Sequence, residues 1–179
     1  VELADDEKEY LEVSPMRGTG DGELTVTLGP NYLPQTRPGS IKVRTTDPSQ
    51  LSHSIYFAQQ KYIFGLADVP STGVAAHAQS IEFNVNCSGN WKVELDADAQ
   101  QFVTVESGAS GKGNGKVSVA LPMNKAASER RGKIIVSSTD NEDLREELTV
   151  SQAGYVFRLD KDSKTVAILG ETFNVGVTC

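Results

Sequence analysis

GKGNGKVSVALPMN, residues 111–124, decides the fold once it is laid beside GTGDGELTVTLGPN, residues 18–31. The offset is 93 residues, and the match runs on without a gap. Arg37, Gly39, Ile41 and Val43 fall on Arg130, Gly132, Ile134 and Val136. Thr46, Asp47, Leu51 and Gln59 fall on Thr139, Asp140, Leu144 and Gln152. Residues 18–59 and 111–152 share 14 identities in 42 positions, too many for chance over an ungapped stretch. Self-similarity at a fixed period has to be settled before any other fold assignment.

The similarity reaches outward in both directions. Upstream, with one residue of slip, Val1-Glu2-Leu3 falls on Val93-Glu94-Leu95 and Tyr10 on Phe102. Downstream, YVFRL at 155–159 echoes YIFGL at 62–66, and FNVGVTC at 173–179 echoes IEFNVNC at 81–87. The expected organisation is the C-terminal part of a first unit (1–60), a complete second unit (61–154) and the N-terminal strands of a third (155–179). Segment 1–60 would then lack its opening strands, and 155–179 would carry such strands with no sandwich of its own. Open edges and exposed apolar faces invite pairing. The two segments are therefore expected to pair by strand exchange, between chains or within one.

Within the complete unit the apolar period is two. Ile81, Phe83, Val85 and Cys87 alternate with polar neighbours, as do Trp91, Val93 and Leu95, then Val117, Val119 and Leu121, Ile134 and Val136, and Leu148 and Val150. Such alternation buries one face of an antiparallel sheet and wets the other. Turn residues separate the runs at Ser88–Asn90, Gly108–Gly115, Asn124–Gly132 and Thr139–Asp143. No stretch has the pattern of an amphipathic helix. The expected fold is all-β: tandem immunoglobulin-like β-sandwich modules of about 93 residues.

Composition bounds the function. The 179 residues carry a net charge of −7, which opposes phosphate backbones and anionic headgroups, so neither nucleic acid nor a membrane surface is an expected partner. No apolar run reaches membrane-spanning length. Residues 1–7 have neither a basic nor an apolar leader pattern. Cys87 and Cys179 occupy matching inward positions in different units, too far apart to bridge, so both are expected as buried thiols.

The search for chemistry returns little. His53 sits between serines, where the second copy has Glu146, and His77 follows Ala75-Ala76; neither neighbours a nucleophile elbow. The acidic groups Asp96/Asp98, Asp140/Glu142/Asp143 and Asp160/Asp162 lie in turns, where carboxylates accept backbone hydrogen bonds, rather than across a cleft. Asp160-Lys-Asp162 lacks the glycine and distal glutamate of a calcium loop. The glycine triplets Gly18/Gly20/Gly22 and Gly111/Gly113/Gly115 have no following GK[ST] and no helix, so they read as tight connections needing positive φ. No catalytic residue, metal site or cofactor is expected. Trp91, Phe102, Tyr10 and Cys87 are assigned to the core, and Tyr32 and Tyr56 remain as candidates for stacking on a sugar ring. Asn31/Asn124, Arg37/Arg130 and Gln59/Gln152 recur at one spacing, which suits caps and strand-end contacts, or a ligand site in each unit.

These residues resemble the BACON domain. The pattern is Asn90-Trp91-Lys92-Val93, then Phe102–Val105 (Tyr10 in the first copy), then the glycine-rich turn 111–124 into a Val-x-Val strand, then Arg130–Val136, and Leu148–Gln152 to close. The family often has Trp where this chain has Phe102 and Tyr10. The resemblance implies a secreted, periplasmic or outer-membrane surface module of Bacteroidetes type, found beside carbohydrate-active modules. It would be non-enzymatic, serving as a carbohydrate-binding domain for a polysaccharide or glycoprotein glycan, or as a spacer. A protein-binding, adhesin-like array is the alternative, and an enzyme comes third.

Overall fold

The computed structural model describes residues 1–178. The chain is all-β, with 46% strand and 3% helix, and divides into two compact units, Val1–Ile63 and Phe64–Cys179. The sequence expectation for Cys179 lies outside the described residues.

In the second unit, β5 (Phe64–Ala67), β7 (Gln79–Cys87), β9 (Thr104–Ser107) and β11 (Gly115–Leu121) form a four-stranded sheet in the order β5-β7-β11-β9. A five-stranded sheet follows the order β10-β8-β12-β13-β6, from Ser110–Lys112 (β10), Asn90–Leu95 (β8), Arg130–Ser138 (β12), Arg145–Gln152 (β13) and Gly73–Val74 (β6). The arrangement is sandwich-like. Ile81, Phe83, Val85, Val117, Val119 and Leu121 are buried on the first sheet, and Trp91, Ile134, Val136 and Val150 on the second. These are the alternate positions of each strand, so the period-two pattern sets which side chains leave water.

The first unit holds two hairpins. β1 (Leu11–Ser14) pairs with β2 (Thr25–Leu28), and β3 (Arg37–Arg44) with β4 (Ser52–Gln59). Its core is small: Leu11, Val13 and Ile41 are buried, with Val1, Leu3, Tyr10, Leu28 and Phe57 packed around them. Tyr10 is only half-buried, unlike Phe102, because its hydroxyl reaches the rim to donate to the Pro38 carbonyl at 2.8 Å.

Residues that match in sequence also match in register. Arg37 lies opposite Gln59 as Arg130 lies opposite Gln152. Val13 faces Val26 as Val105 faces Val119. The bridge Glu2–Lys42 falls where Glu94 faces Ile135. Short 3₁₀ turns stand at Glu7–Glu9 and Ala99–Gln101. Beyond β13, Arg158–Leu159 (β14) pairs with Val177–Thr178 (β15) in a hairpin of its own.

The glycine triplet has two physical roles where the sequence suggested one. Gly20 and Gly113 do take positive φ, 73° and 71°. Gly111 and Gly115 instead make room for Trp91: a Cβ on them would lie 2.4 and 2.5 Å from its Cζ2. The indole also donates to the Gly113 carbonyl at 2.8 Å, so one loop both shapes and satisfies the ring. A Cβ on Gly18 or Gly22 would meet nothing within 4 Å.

Gly111→Ala should therefore destabilise the protein by about 1–3 kcal/mol through overpacking against the indole. Gly18→Ala at the matching position should change stability by less than about 0.5 kcal/mol. Chemical denaturation of both variants checks this, and equal losses would refute the steric account.

Candidate functional site

The polar residues that recur in the sequence form two similar clasps at strand ends. In the second unit, Gln152 is completely buried, and its Oε1 accepts from Arg130 Nε at 2.9 Å and Nη2 at 2.7 Å. Its Nε2 faces the carbonyls of Ala76, His77 and Pro122 at 3.1–3.2 Å. Arg130 also donates to the Pro122 carbonyl, and its guanidinium lies 4.7 Å above the Phe102 ring. Burial lowers the Arg130 pKa from the ordinary arginine value. In the first unit, Arg37 donates to Gln59 Oε1 at 3.2 and 2.7 Å and to the Gly29 carbonyl at 3.0 Å, with its guanidinium 3.9 Å above Tyr10. Gln59 Nε2 donates to the Gly29 carbonyl at 2.8 Å, and Gln59 stays partly exposed.

The asparagines act alike. Asn31 Nδ2 donates to the carbonyls of Gln35 and Gln60, and its Oδ1 accepts from the Leu33 N–H. Asn124 does the same with Ser128, Ala153 and Ala126. Each cross-links a loop to a strand end. The amides and guanidinia are thus directed at backbone carbonyls and at each other, which is turn and strand-end work.

A difference the sequence did not reveal lies at the two 3₁₀ turns. In the second unit, Asp96 accepts the Ala99 N–H at 2.7 Å; backbone hydrogen bonds involving Lys133 and Ala99 hold its carboxyl below the usual range. Position 4, where the first unit would place that aspartate, is alanine. There Glu7 supplies the carboxylate from the other side: it accepts the N–H of Ala4 at 2.9 Å and the N–H and hydroxyl of Ser40 at 2.6 and 3.2 Å. Glu7 is only 7% exposed. Burial acts to raise its pKa, but the bonds from Ala4 and Ser40 outweigh it and keep the pKa below the usual glutamate value. An alanine at the position matching Asp96, with a glutamate at the position matching Ala99, was the available signal.

The sugar-stacking candidates separate. Tyr32 is half-buried in the β2–β3 connection and meets Tyr62 edge-on, with ring centroids 5.4 Å apart. Tyr56 lies on β4 opposite Ser40 and is 80% exposed. Trp91, Phe102 and Cys87 are buried. His53 and His77 are exposed, and neither lines the open depression beside Leu3, Leu11 and Met16 or the one beside Gln79, Thr104 and Glu106. The acidic turns hold backbone: Asp140 accepts the Asn90 N–H at 2.7 Å, and Asp160 accepts the Gly176 N–H at 2.9 Å. Among the described residues, no three histidines, cysteines or carboxylates come together as metal ligands, and no helix is long and apolar enough to cross a membrane.

With this geometry in view, the chain can be set beside known proteins. Residues 90–153 match the family model of the BACON domain, which is described as a binding domain. No curated protein matches the chain in sequence. Among solved structures, the Bacteroides ovatus GH5 xyloglucanase in complex with a XXXG heptasaccharide is similar over 52% of this chain, at 15% identity and a TM-score of 0.44. This chain spans only 19% of that one. A Bacteroides thetaiotaomicron protein solved by NMR is similar over 62% of this chain and 96% of its own, at 15% identity and a TM-score of 0.36. Domains 4 and 5 of the S-layer protein SbsC are similar over 84% of this chain and 68% of their own, at 18% identity and a TM-score of 0.40.

Two outcomes follow from the polar links. Gln152→Ala should cost about 3 kcal/mol, because it strands buried donors and carbonyls, whereas Gln59→Ala should cost about 1 kcal/mol, because water can replace the amide. Glu7→Gln should destabilise by about 1–2 kcal/mol at pH 7. Because the Glu7 pKa is depressed in the fold, its stabilisation is present at neutral pH and is lost as pH falls through that value. The gap between wild type and Glu7→Gln should accordingly narrow by pH 3 in urea titrations; a constant gap would contradict the assignment.

Proposed function

We propose that this chain is a non-enzymatic, glycan-associated module of a secreted or surface protein, built from BACON-like immunoglobulin-like units of about 93 residues and acting as a spacer. Residues 61–154 form the complete unit, 1–60 the C-terminal part of the one before it, and 155–179 the opening strands of the next. The BACON domain at 90–153 supports this reading, as do the paired registers and the two clasps at matching positions.

The observation that carries the spacer role is where the reactive and aromatic groups are spent. Trp91, the side chain best suited to stack on a sugar, is buried between glycines with its N–H bonded to backbone. The Arg–Gln clasps and the acidic turns are engaged with protein atoms. A rigid sandwich with its polar chemistry turned on itself suits holding other modules apart.

A second reading, carbohydrate binding, has Tyr56 in its favour, since an 80% exposed ring on a strand offers a flat apolar platform. Protein binding by β-augmentation is favoured by the two-stranded β1–β2 sheet, whose outer edges offer backbone groups.

Affinity electrophoresis through gels carrying xyloglucan, other plant glycans or mucin separates these readings. The spacer reading expects unretarded migration, corresponding to Kd above about 1 mM. Retardation that Tyr56→Ala abolishes would overturn it in favour of binding. The unit boundaries have their own test: residues 61–154 expressed alone should unfold in one cooperative transition, and a fragment without native-like dispersion in NMR would refute them.

A further inference from the structure

We infer that the outer face of the five-stranded sheet holds a site for a tetrahedral oxyanion of the sulfate type, with Ser137, Lys92 and Arg145 as its donors. The inference goes beyond the spacer reading and does not depend on it.

The site begins with a hydroxyl that has no partner. Among the described residues, Ser137 Oγ is the one buried side-chain oxygen or nitrogen that makes no hydrogen bond. Native folds keep few such groups, because each costs stability while it stays unpaired. Ser137 is only 8% exposed, yet its place is on the outer side of β12. Ile134, Val136 and Ser138 take the alternate, inward positions of that strand.

Its neighbours across both ladders are cations. Ser137 lies opposite Lys92 on β8 and opposite Arg145 on β13. Side chains directly opposed on one face start about 4.5–5.5 Å apart, so the hydroxyl stands in a row between an ammonium and a guanidinium. The Lys92 side chain is 43% exposed and that of Arg145 57%. Lys92 meets Glu94 at 3.0 Å, and Arg145 meets Glu147, each two residues along its own strand. Exposed ion pairs of this kind are weak, so an incoming anion can draw either cation away at little cost. Asp140, on the adjoining turn, is engaged by the Asn90 N–H at 2.7 Å and by its Nδ2 at 2.9 Å.

Charge points the same way. The outer positions of β8, β10, β12 and β13 carry Lys92, Lys112, Arg131, Lys133 and Arg145 against Glu94 and Glu147. This face is basic on a chain whose net charge is −7. A long polyanion meets the whole chain, whereas a single group feels mainly the charges within about 8 Å.

The donors select the shape of the ligand. A guanidinium fork engages two oxygens, and an ammonium and a hydroxyl donate from other directions. A planar carboxylate is saturated by the fork, whereas a tetrahedral oxyanion has oxygens for all three groups. The first unit lacks this row. At the matching places its ladder sets Arg44 opposite Ser52, and Arg44 is held by Glu2 at 2.6 Å.

The test is an NMR titration of the full chain with sodium sulfate, beside sodium chloride and sodium acetate at equal ionic strength. A spectroscopic readout is needed because sulfate stabilises folded proteins in general by exclusion from their surface. Amide shifts at Lys92, Ser137 and Arg145 should saturate with sulfate alone, at a Kd of about 1–10 mM. Ser137→Ala should weaken binding about fivefold. Its urea midpoint should equal or exceed that of wild type, because the substitution removes an unpaired hydroxyl. Arg145→Gln should abolish saturation. Glucose 6-sulfate, run beside glucose, separates the sources: saturation by the ester as well as by sulfate assigns a sulfated sugar, and saturation by inorganic sulfate alone assigns the free ion. Non-saturating shifts that chloride reproduces, an equal response to acetate, unchanged affinity in Ser137→Ala, or a loss of stability in that variant would each overturn the site. Binding this weak leaves migration through glycan gels unretarded, so this proposal and the spacer reading fail separately.

Discussion

A β-sheet with one apolar face cannot stand alone in water, and this requirement organises the second unit. Phe83, Val117, Val119, Ile134, Val136 and Val150 come from two sheets and are all at or near complete burial. Each such side chain contributes about 1.5–3 kcal/mol on leaving water, enough to offset the backbone entropy of about one or two residues. Because side chains alternate, a one-residue slip of any strand would turn its whole apolar set outward. Register and burial are thus the same constraint seen twice. The first unit has less to bury, with three core residues and a ring of partly exposed ones around them.

Polar groups serve that packing. Burying an amide or a guanidinium without a partner would cost as much as a core contact yields, so each buried one is bound. Gln152 links β13 to β12 and to the loops at 76–77 and 122, closing one end of the sandwich. Asn124 ties its loop to the residue after β13. Glu7 and Asp96 solve one local problem, unpaired N–H groups at a 3₁₀ turn, from opposite sides of that turn. A carboxylate is needed near the turn; which residue supplies it is free to change.

The functional reading follows from the direction of these side chains. An aromatic ring on a strand can serve a sugar only if its face is open, and Trp91 spends its face on Gly111 and Gly115. Tyr56 keeps its face open, on the unit with the smaller core.

Strand positions, inward and outward faces, turns and the recurring Asn, Arg and Gln were legible in the sequence, because alternation and turn chemistry are local and the 93-residue spacing is visible without coordinates. Contacts between residues far apart in the chain were not. That Gly111 and Gly115 yield space to Trp91, that Glu7 stands in for an aspartate, that Tyr32 leans on Tyr62 while Tyr56 points to water, and that β14–β15 carries the register of β5–β7 were decided only by tertiary structure. The physical reason is that a pattern of residue types specifies which face of a strand is buried, whereas its neighbour across the sheet or the sandwich is chosen by packing between segments the pattern does not connect.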